Sequence, residues 1–476
     1  MSFLRRPVVL MVLGFVFLAL GGIAFASRDT KKVDSADATR CEFPPCRASA
    51  NPVPARGYEG AYVAADPANP DHVVVSDANV LETRCGFHTT FDRGKDWIDG
   101  FYDLPPGYTG CRINGPSGGH LANGSVAMGS GTKVYSVFGS AHTDDNRRES
   151  VLVATSNDGG RSFAPAKVAI RPTGPDIGLG RPLMTVVPGN NGPDIVLLSA
   201  WTCHPAAQPG AAGGTQCDGV LFARSDDGGQ TYSDPVVVND PPAGQNPSQP
   251  AMDRDGVVYM TFQRRFSDGP VELFLAKSAD GGKTFAHSLL DRQIQIGQQY
   301  DPAKIIADPL TGNLYTVWAD SRTGRFQIFF RKSLDKGVSW GERSVLLAPD
   351  RAATGASRSP SMSVAPNGRI DIVYYHTSPD PEAQTFDDVY WTHSTDAGEN
   401  FIARQVNEAP IDRGKGYSGP LGALGQLGNH YPPGVASVDE AAYVVWSDTR
   451  EANPITNSQD VLLRRMPVLG AGALPP

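Results

Sequence analysis

Six short stretches of this chain carry a hydroxyl, a carboxylate, a glycine and an aromatic ring at one spacing, Ser/Thr-x-Asp-x-Gly-x-x-aromatic. A carboxylate beside a hydroxyl could bind calcium or act as a catalytic acid. At this spacing, however, Ser and Asp bond nearby backbone N–H groups, glycine permits a tight turn, and the ring packs into the core. Because each pattern satisfies its own polar groups, we interpret all six as fold-stabilising turns. Their aspartates are Asp92, Asp158, Asp227, Asp280, Asp335 and Asp396.

A second repeated pattern, Trp-x-Asp-x-Arg, occurs at residues 318–322 and 446–450. The aspartate could pair with the arginine two residues later and hold a loop, while the tryptophan packs between neighbouring units. Alternatively, Arg322 and Arg450 could reach a ligand carboxylate, because the planar guanidinium binds carboxylates through two parallel hydrogen bonds. The sequence leaves both interpretations open.

Short β-rich runs precede the six patterns and must position these residues. Examples are residues 133–138, 257–262 and 313–318. Asp-Gly and Asn-Gly turn signals at 253–256 and 366–368 indicate an earlier strand in each unit, and a further strand follows each aromatic residue. Each unit of about 60 residues is therefore four strands, A to D, with the aspartate pattern at the C–D turn.

Four-stranded units repeated around a ring make an all-β fold, the β-propeller. We count seven blades, with a six-bladed ring plus one decayed or accessory unit as the alternative. The seventh unit lacks an aspartate pattern and a D strand, so we expect the stretch before Gly57 to supply the missing outer strand. The propeller domain is predicted over residues 57–466, with 467–476 as a disordered tail.

The topology of such a blade separates two faces. The A–B and C–D turns lie on one side, here called the turn face, and the B–C and D–A loops lie on the other, the loop face. The B–C loops are irregular and rich in Arg, His, Asp and aromatic residues, which makes the loop face the default binding site. We predict that it binds substrate through Arg181, Arg264, Arg322, Arg358, His376, His430 and Arg450.

Acidic residues at the starts of inner strands could add catalysis at this face. Glu59 and Asp301 come from separate blades, and two carboxylates in one cavity are the minimum for glycoside hydrolysis. Each could equally well only hydrate a central channel. A polysaccharide lyase that uses His142, His376 or His430 as its base is a third option.

The N-terminus indicates export. Residues 1–26 contain Arg5 and Arg6, then an uncharged run from Pro7 to Ala26 that ends in a small-x-small sequence. This segment is interpreted as a signal peptide or a membrane anchor, and residues 27–56 as a linker. We expect an extracytoplasmic monomer that touches the membrane only through this segment. The net charge of −8 argues against nucleic acid as a partner.

The six cysteines of an exported chain are typical of structural disulfides. Sequence proximity favours Cys41–Cys46, Cys85–Cys111 and Cys203–Cys217, although fifteen pairings are possible. No Cys-x-x-Cys pair occurs and the histidines are scattered, so we predict no metal site, and no cofactor motif is present.

The aspartate patterns, the export segment and the β-rich units resemble the sialidase-like Asp-box (BNR-repeat) propellers over residues 57–466. The resemblance implies an arginine triad for the carboxylate of sialic acid, a tyrosine nucleophile aided by a glutamate, and an aspartic acid as acid/base. Arg358 looks similar to a later triad arginine, and Tyr417 or Tyr431 to the nucleophile. The Phe/Tyr-Arg-Ile-Pro motif of the first arginine is missing, and the nearest string contains Arg181.

Two functions follow. The chain is either a glycoside hydrolase acting on an acidic-sugar glycan, or a non-catalytic propeller that binds glycan or protein at the cell envelope. Three arginine heads converging beside a Tyr–Glu or carboxylate pair would favour hydrolysis. Arginines that are each neutralised by an aspartate of their own loop would favour binding or a purely structural role.

Overall fold

Runs of valine, isoleucine and aromatic residues form the strands of seven sheets in the computed structural model. It describes residues 46–47, 58–79, 84–113, 120–121, 123–143, 149–172, 177–205, 215–239, 244–245, 247–264, 271–293, 303–346, 355–377, 386–413, 415, 432–450 and 459–468. No helix occurs in these ranges, and so none of them holds a membrane-spanning helix.

The first three blades follow the predicted order, with consecutive antiparallel strands from the centre outward. Three short strands lie ahead of blade 2. Two of them pair with each other, and the third pairs with strand B of blade 2. After β1 (Cys46–Arg47), blade 1 contains β2 (Tyr58–Asp66), β3 (Asn69–Asn79), β4 (Arg84–Thr90) and β5 (Ile98–Phe101). Next come β6 (Tyr108–Thr109), β7 (Arg112–Ile113) and β8 (His120–Leu121), then blade 2 with β9 (Asn123–Met128), β10 (Val134–His142), β11 (Glu149–Ser156) and β12 (Lys167–Ile170). Blade 3 contains β13 (Gly178–Val187), β14 (Ile195–Pro205), β15 (Thr215–Ser225) and β16 (Val236–Val237).

Blades 4 to 7 repeat this arrangement, except that the inner strand of blade 4 is in two pieces and blade 6 has an extra edge strand. Blade 4 contains β17 (Gly244–Gln245), β18 (Ala251–Met252), β19 (Val258–Arg264), β20 (Val271–Ser278) and β21 (Ala286–Gln293). Blade 5 contains β22 (Lys304–Ala307), β23 (Leu314–Asp320), β24 (Gln327–Ser333) and β25 (Ser344–Leu346). Blade 6 contains β26 (Ala356–Val364), β27 (Ile370–Thr377), β28 (Phe386–Ser394), β29 (Ile402–Gln405) and β30 (Ile411–Asp412), and blade 7 contains β31 (Gly434–Val438), β32 (Ala441–Asp448) and β33 (Asp460–Pro467).

Strand β1 completes blade 7 from the other end of the chain. It pairs antiparallel with β33, with Cys46 opposite Leu463 and Arg47 opposite Leu462, so the sheet order is β1-β33-β32-β31. Part of the stretch before Gly57 therefore forms the outer strand of the last blade. The ring has seven four-stranded blades, so the seven-blade prediction is confirmed and the six-blade alternative is wrong.

Neighbouring blades pack their apolar faces against one another. The seam between blades 7 and 1 is one cluster that includes Val63, Val73, Tyr443 and Val445, all buried. A fully buried valine stabilises the fold by about 1.5–3 kcal/mol. Each blade buries both faces, which accounts for the near-continuous apolar runs of the B and C strands.

All six aspartate patterns fold into the same turn after strand C. The hydroxyl residue ends the strand, donates to the aspartate Oδ1 at 2.7–2.8 Å and accepts the glycine N–H at 2.8–2.9 Å. The six glycines have φ between 78° and 94°, a conformation that side chains disfavour. In blade 3, hydrogen bonds from the side chain and backbone of Thr231 lower the pKa of Asp227 to about 2. The six carboxylates therefore accept hydrogen bonds from their own turns and stabilise them.

The Ser or Thr hydroxyl that accepts the glycine N–H should contribute more to stability than the exposed hydrogen bonds to the aspartate. We expect Ser278→Ala to lower the free energy of unfolding by about 1–3 kcal/mol, because it leaves the buried N–H of Gly282 without its acceptor. Thr284→Ala removes an exposed bond to Asp280 and should cost at most about 0.5 kcal/mol. Denaturant unfolding of both variants measures this, and equal losses would contradict the account.

Candidate functional site

Four inner strands bulge at the same level, close to the loop face. In each bulge, two residues of the inner strand lie opposite a single residue of strand B. The bulges lie between Glu59 and Tyr62 in β2, between Asn123 and Val126 in β9, between Gly180 and Leu183 in β13, and between Arg358 and Ser361 in β26. Bulges of this kind bend a strand and change the direction of its side chains, and they are frequent next to functional sites.

Two of these bulges hold strained side-chain residues. The backbone at the bulge has φ of 41° at Arg181 and 55° at Ser359, whereas in β2 the same position is a glycine, Gly60, with φ of 63°. A positive φ at a residue other than glycine costs about 1–3 kcal/mol and persists only where the surroundings enforce it. The packing around Arg181 therefore enforces this backbone conformation, which the residue would not adopt by itself.

A narrow pocket opens on the ring axis at this level. Because it receives residues from blades 1, 3, 4, 5 and 7, it belongs to no single blade and exists only in the closed ring. It is lined by Tyr62, Arg181, Leu183, Trp201, Pro247, Lys304 and Pro432. We call it the axial pocket.

The axial pocket combines two cations with two large rings. The guanidinium of Arg181 lies 5.7 Å from the centre of the Trp201 ring, within cation–π range. Burial raises the pKa of Tyr62 above its usual range, and the charge of Arg181 opposes that rise. Lys304 adds a second positive charge from β22. Concave sites with aromatic walls and a few charged groups are typical of small-ligand binding.

Both Trp-x-Asp-x-Arg sequences close on themselves. Trp318 Nε1 donates to Asp320 at 2.9 Å, and Arg322 Nε donates to the same carboxylate at 2.8 and 2.9 Å. In blade 7, Asp448 likewise accepts from the indole of Trp446 at 2.9 Å and from Arg450 Nε at 2.9 Å. The two arginines thus hold their loops, which is the structural one of the two interpretations.

Arg358 is also engaged by an aspartate. Its guanidinium donates to Thr377 Oγ1 and to Asp387 Oδ2, and Thr377 donates to the other oxygen of Asp387 at 2.6 Å. Arg413 Nε lies 3.4 Å from the same carboxylate, and burial lowers the pKa of Arg413 despite the charge of Asp387. One buried aspartate, at the loop-face end of β28, therefore lies between two arginines.

The remaining predicted residues are spread over the loop face. His376 is buried and its Nδ1 lies 2.9 Å from Ser357 Oγ, while the guanidinium of Arg264 lies 5.1 Å from the Phe274 ring centre. Glu59 lies in β2 just before the bulge, but its side chain is not described. The predicted residues that lie outside the described ranges are Asp301, Tyr417, His430 and Tyr431. The carboxylate pair and the nucleophile stay predictions.

Three arginines do converge in this molecule, but on an aspartate of the chain itself. Asp291 lies 2.8 Å from Arg343 Nη1, 3.2 Å from Arg322 Nη1 and 4.0 Å from Arg331 Nη1. None of the three lines the axial pocket. This cluster joins the outer strands of blades 4 and 5, so we assign it a structural role.

A histidine on blade 1 bridges two carboxylates. His88 Nε2 lies 2.8 Å from Asp77 and Nδ1 lies 2.6 Å from Asp99. Burial alone would lower the pKa of His88, but the charge of Asp77 and hydrogen bonds to both carboxylates raise it to about 10. Asp77, near the loop-face end of β3, is thus neutralised by a buried imidazolium.

Sequence reasoning missed Tyr62, Lys304 and Glu149. Tyr62 and Lys304 belong to no recognisable motif, and they come close to Arg181 only because the propeller closes into a ring. Glu149 opens strand C of blade 2 opposite Ala141 and is buried, and its Oε1 has no hydrogen-bond partner. Burial raises its pKa to about 8. A charged residue at the start of an apolar strand was the one available signal.

The cysteines are consistent with an oxidised chain. Cys85 and Cys111 form a disulfide with Cα atoms 5.2 Å apart, which ties the loop after blade 1 to the start of β4. Cys203 and Cys217 lie directly opposite each other on β14 and β15, and Cys46 lies in β1. Cys41 lies outside the described residues. Within the described ranges, no three His, Cys, Asp or Glu residues are grouped to hold a metal ion.

Comparison with known proteins gives a likeness of fold only. No protein-family model and no curated protein matches this sequence. A Dyadobacter fermentans protein of unknown function aligns over 90% of this chain and 98% of its own, with a TM-score of 0.51 and 13% identity. A Hadza microbial sialidase covers 83% of this chain and 73% of its own, with a TM-score of 0.47 and 13% identity. A PL25 ulvan lyase covers 87% and 94%, with a TM-score of 0.48 and 11% identity.

The buried Glu149 should make stability depend on pH. Its folded-state pKa of about 8 lies above the unfolded value of 4.5, so the folded chain holds the extra proton between these pH values. Its contribution is fully present below pH 4.5 and is lost as the pH rises through about 8, by roughly 1.4 kcal/mol per pH unit. Glu149→Gln should remove this component of the slope.

Denaturant unfolding from pH 5 to pH 9 measures the difference. We expect Glu149→Gln to gain stability relative to the parent chain as the pH rises, whereas Glu342→Gln, at an exposed glutamate, should follow the parent curve. Parallel curves for Glu149→Gln and the parent would show that Glu149 is ionised in the folded chain.

Proposed function

We propose that this chain is an extracytoplasmic propeller that recognises an acidic sugar at its loop face. The axial pocket carries the proposal, since Arg181 from blade 3 and Lys304 from blade 5 line one small cavity with the rings of Tyr62 and Trp201. The two cations would bind the sugar carboxylate, and the rings would pack against the apolar faces of the pyranose.

The charge distribution supports a specific anion site rather than general polyanion binding. The chain carries a net charge of −8, so its overall field repels anions, and the positive charge of the axial pocket is local. Arg181 is fixed by a strained bulge, which reduces the entropy lost when it binds a ligand. The two cations suit the carboxylate of a sialic or uronic acid, in keeping with the sialidase-like pattern of the sequence.

The state of the other arginines favours recognition over cleavage. Arg322, Arg358 and Arg450 each bind an aspartate of the chain, so in this conformation they do not join Arg181 as a carboxylate-binding triad. Releasing Arg322 or Arg450 would leave a buried aspartate without its ion pair, which typically costs several kcal/mol.

Hydrolysis is the second candidate, and one feature of the backbone favours it. Glu59 precedes the bulge of β2 just as Gly180 precedes Arg181 in β13, and Asp301 lies three residues before Lys304. Hydrolysis would require both carboxyl groups to reach a sugar held by Arg181 and Lys304, because glycosidases use two carboxyl groups.

Binding tests the first candidate. The full chain should bind sialyllactose and glucuronides and ignore lactose and neutral glucosides. Arg181→Gln keeps a side chain at the strained position but removes the charge, and we expect a roughly 10- to 100-fold weaker affinity for the acidic glycans. Arg161→Gln, on an exposed turn-face arginine, is the matched control. Equal affinity of all three proteins, or a preference for neutral glycans, would overturn the proposal.

Turnover tests the second candidate separately. Fluorogenic sialosides and uronides are incubated with the parent chain, Glu59→Gln, Asp301→Asn and Arg358→Ala. A hydrolase would release fluorophore and lose at least 100-fold of its rate in the two carboxylate variants. Binding without turnover would leave recognition as the function of the axial pocket.

A further inference from the structure

Three exposed apolar side chains lie on the turn face of blade 5. Leu334 and Val338 belong to its C–D turn and Leu310 to its A–B turn, and they are 68%, 80% and 49% exposed. The two turns of one blade are two strand spacings apart, roughly 10 Å. The other exposed large apolar side chains of the described residues all lie on outer strands, namely Val237, Leu289, Val345 and Ile402. Blade 5 alone thus presents an apolar group on the described turn face.

The equivalent positions of the other five turns show that the apolar group is specific to blade 5. The positions that match Leu334 hold Phe91, Asn157, Asp226, Ala279 and Thr395, and those that match Val338 hold Lys95, Arg161, Gln230, Lys283 and Glu399. In none of these five turns do Leu or Val occupy the two positions.

The one comparable apolar residue, Phe91 in blade 1, is covered by its neighbours. Its ring stacks on His72 at 4.5 Å and lies 3.7 Å from the guanidinium of Arg161 in the next blade. In blade 6, the residue equivalent to Arg161 is Glu399, which binds Lys332 at 2.5 Å instead. Leu334 therefore stays exposed where Phe91 does not.

The direction of β1 shows where the N-terminal segment joins the ring. Strand β33 runs towards the turn face and ends at Pro467, opposite Ala441 beside the A–B turn. Because β1 is antiparallel to β33, the chain reaches Cys46 from the turn face and leaves Arg47 towards the loop face. The uncharged run of residues 7–26 is connected to that point by residues 27–45, which span at most about 60 Å.

We propose that the turn face of blade 5 rests on the lipid bilayer in which residues 7–26 are anchored, with Leu310, Leu334 and Val338 in the interfacial layer. The chain enters β1 from the turn face, so residues 27–45 are long enough to bring residues 7–26 to the side of the ring that carries the apolar group. Apolar side chains stabilise such contact in proportion to the area that they bury in the interface. The exposed Lys283, on the neighbouring C–D turn of blade 4, can meet anionic head groups.

This orientation would turn the loop face away from the membrane. It adds a defined orientation of the ring to attachment through residues 7–26. It also stands apart from the proposed sugar recognition, since the two involve opposite faces and different residues.

Photo-crosslinking of the full chain in vesicles tests the contact. The photoreactive benzoylphenylalanine replaces Leu334 or Val338, and in control proteins it replaces Asn157, the equivalent turn position in blade 2, or the exposed Thr323 on the loop face. Vesicles contain phosphatidylcholine and phosphatidylglycerol. Mass spectrometry should find lipid adducts at 334 and 338 at least tenfold above position 323, with position 157 in between or lower.

Two results would overturn the proposal. One is lipid adduct at 334 and 338 no higher than at 323, and the other is adduct to a second copy of the chain or another protein instead of lipid. A further variant guards against a local artefact of the probe. With the probe at Leu310, the double change Leu334→Ser and Val338→Ser should reduce lipid adduct at least threefold, and an unchanged yield would show that the three residues do not act as one contact.

Discussion

The closure of the ring is the constraint on which the rest of this structure depends. Each blade buries both of its faces against neighbours, so a blade without a neighbour would expose a face of valines and aromatic residues to water. The seam between blades 7 and 1 is sealed by a shared apolar cluster, by the Tyr443 hydroxyl donating to the carbonyl of Pro70, and by β1 on the edge of blade 7. Residues 46–47 and 460–467 must therefore meet, although more than 400 residues of chain separate them.

Closure also creates the site. The axial pocket has no counterpart in a single blade, because Tyr62, Arg181 and Lys304 reach it from three different ones. The bulges at one level of four inner strands are the local adjustment that accompanies this convergence, and two of them retain a strained residue. Strain of this kind is maintained by the packing of the whole ring and marks positions where direction matters more than local stability.

The two faces of the ring use charge in different ways. On the turn face, aspartates are neutralised by short-range bonds to hydroxyls and backbone N–H groups, and the same turn is built six times. On the loop face, buried aspartates such as Asp320 and Asp387 pair with arginines, each in its own arrangement. A self-contained turn can be repeated without change, whereas the loop-face ion pairs are alike in blades 5 and 7 and different in blade 6. Arg181 and Lys304 reach the axial pocket from blades 3 and 5.

The sequence by itself determined the fold class, the seven units and the position of the turns, because a pattern of hydroxyl, aspartate and glycine makes its hydrogen bonds within eight residues and needs no distant partner. It also predicted that arginines and histidines would gather in the irregular loops of the loop face. Only the tertiary structure decided which of them share a site. The local sequence of Arg322 and Arg450 leaves ligand binding open, yet each pairs with its own aspartate, while Lys304 has no motif at all and still lines the pocket. The reason is physical: side chains that meet across a ring are brought together by closure, which no local spacing records.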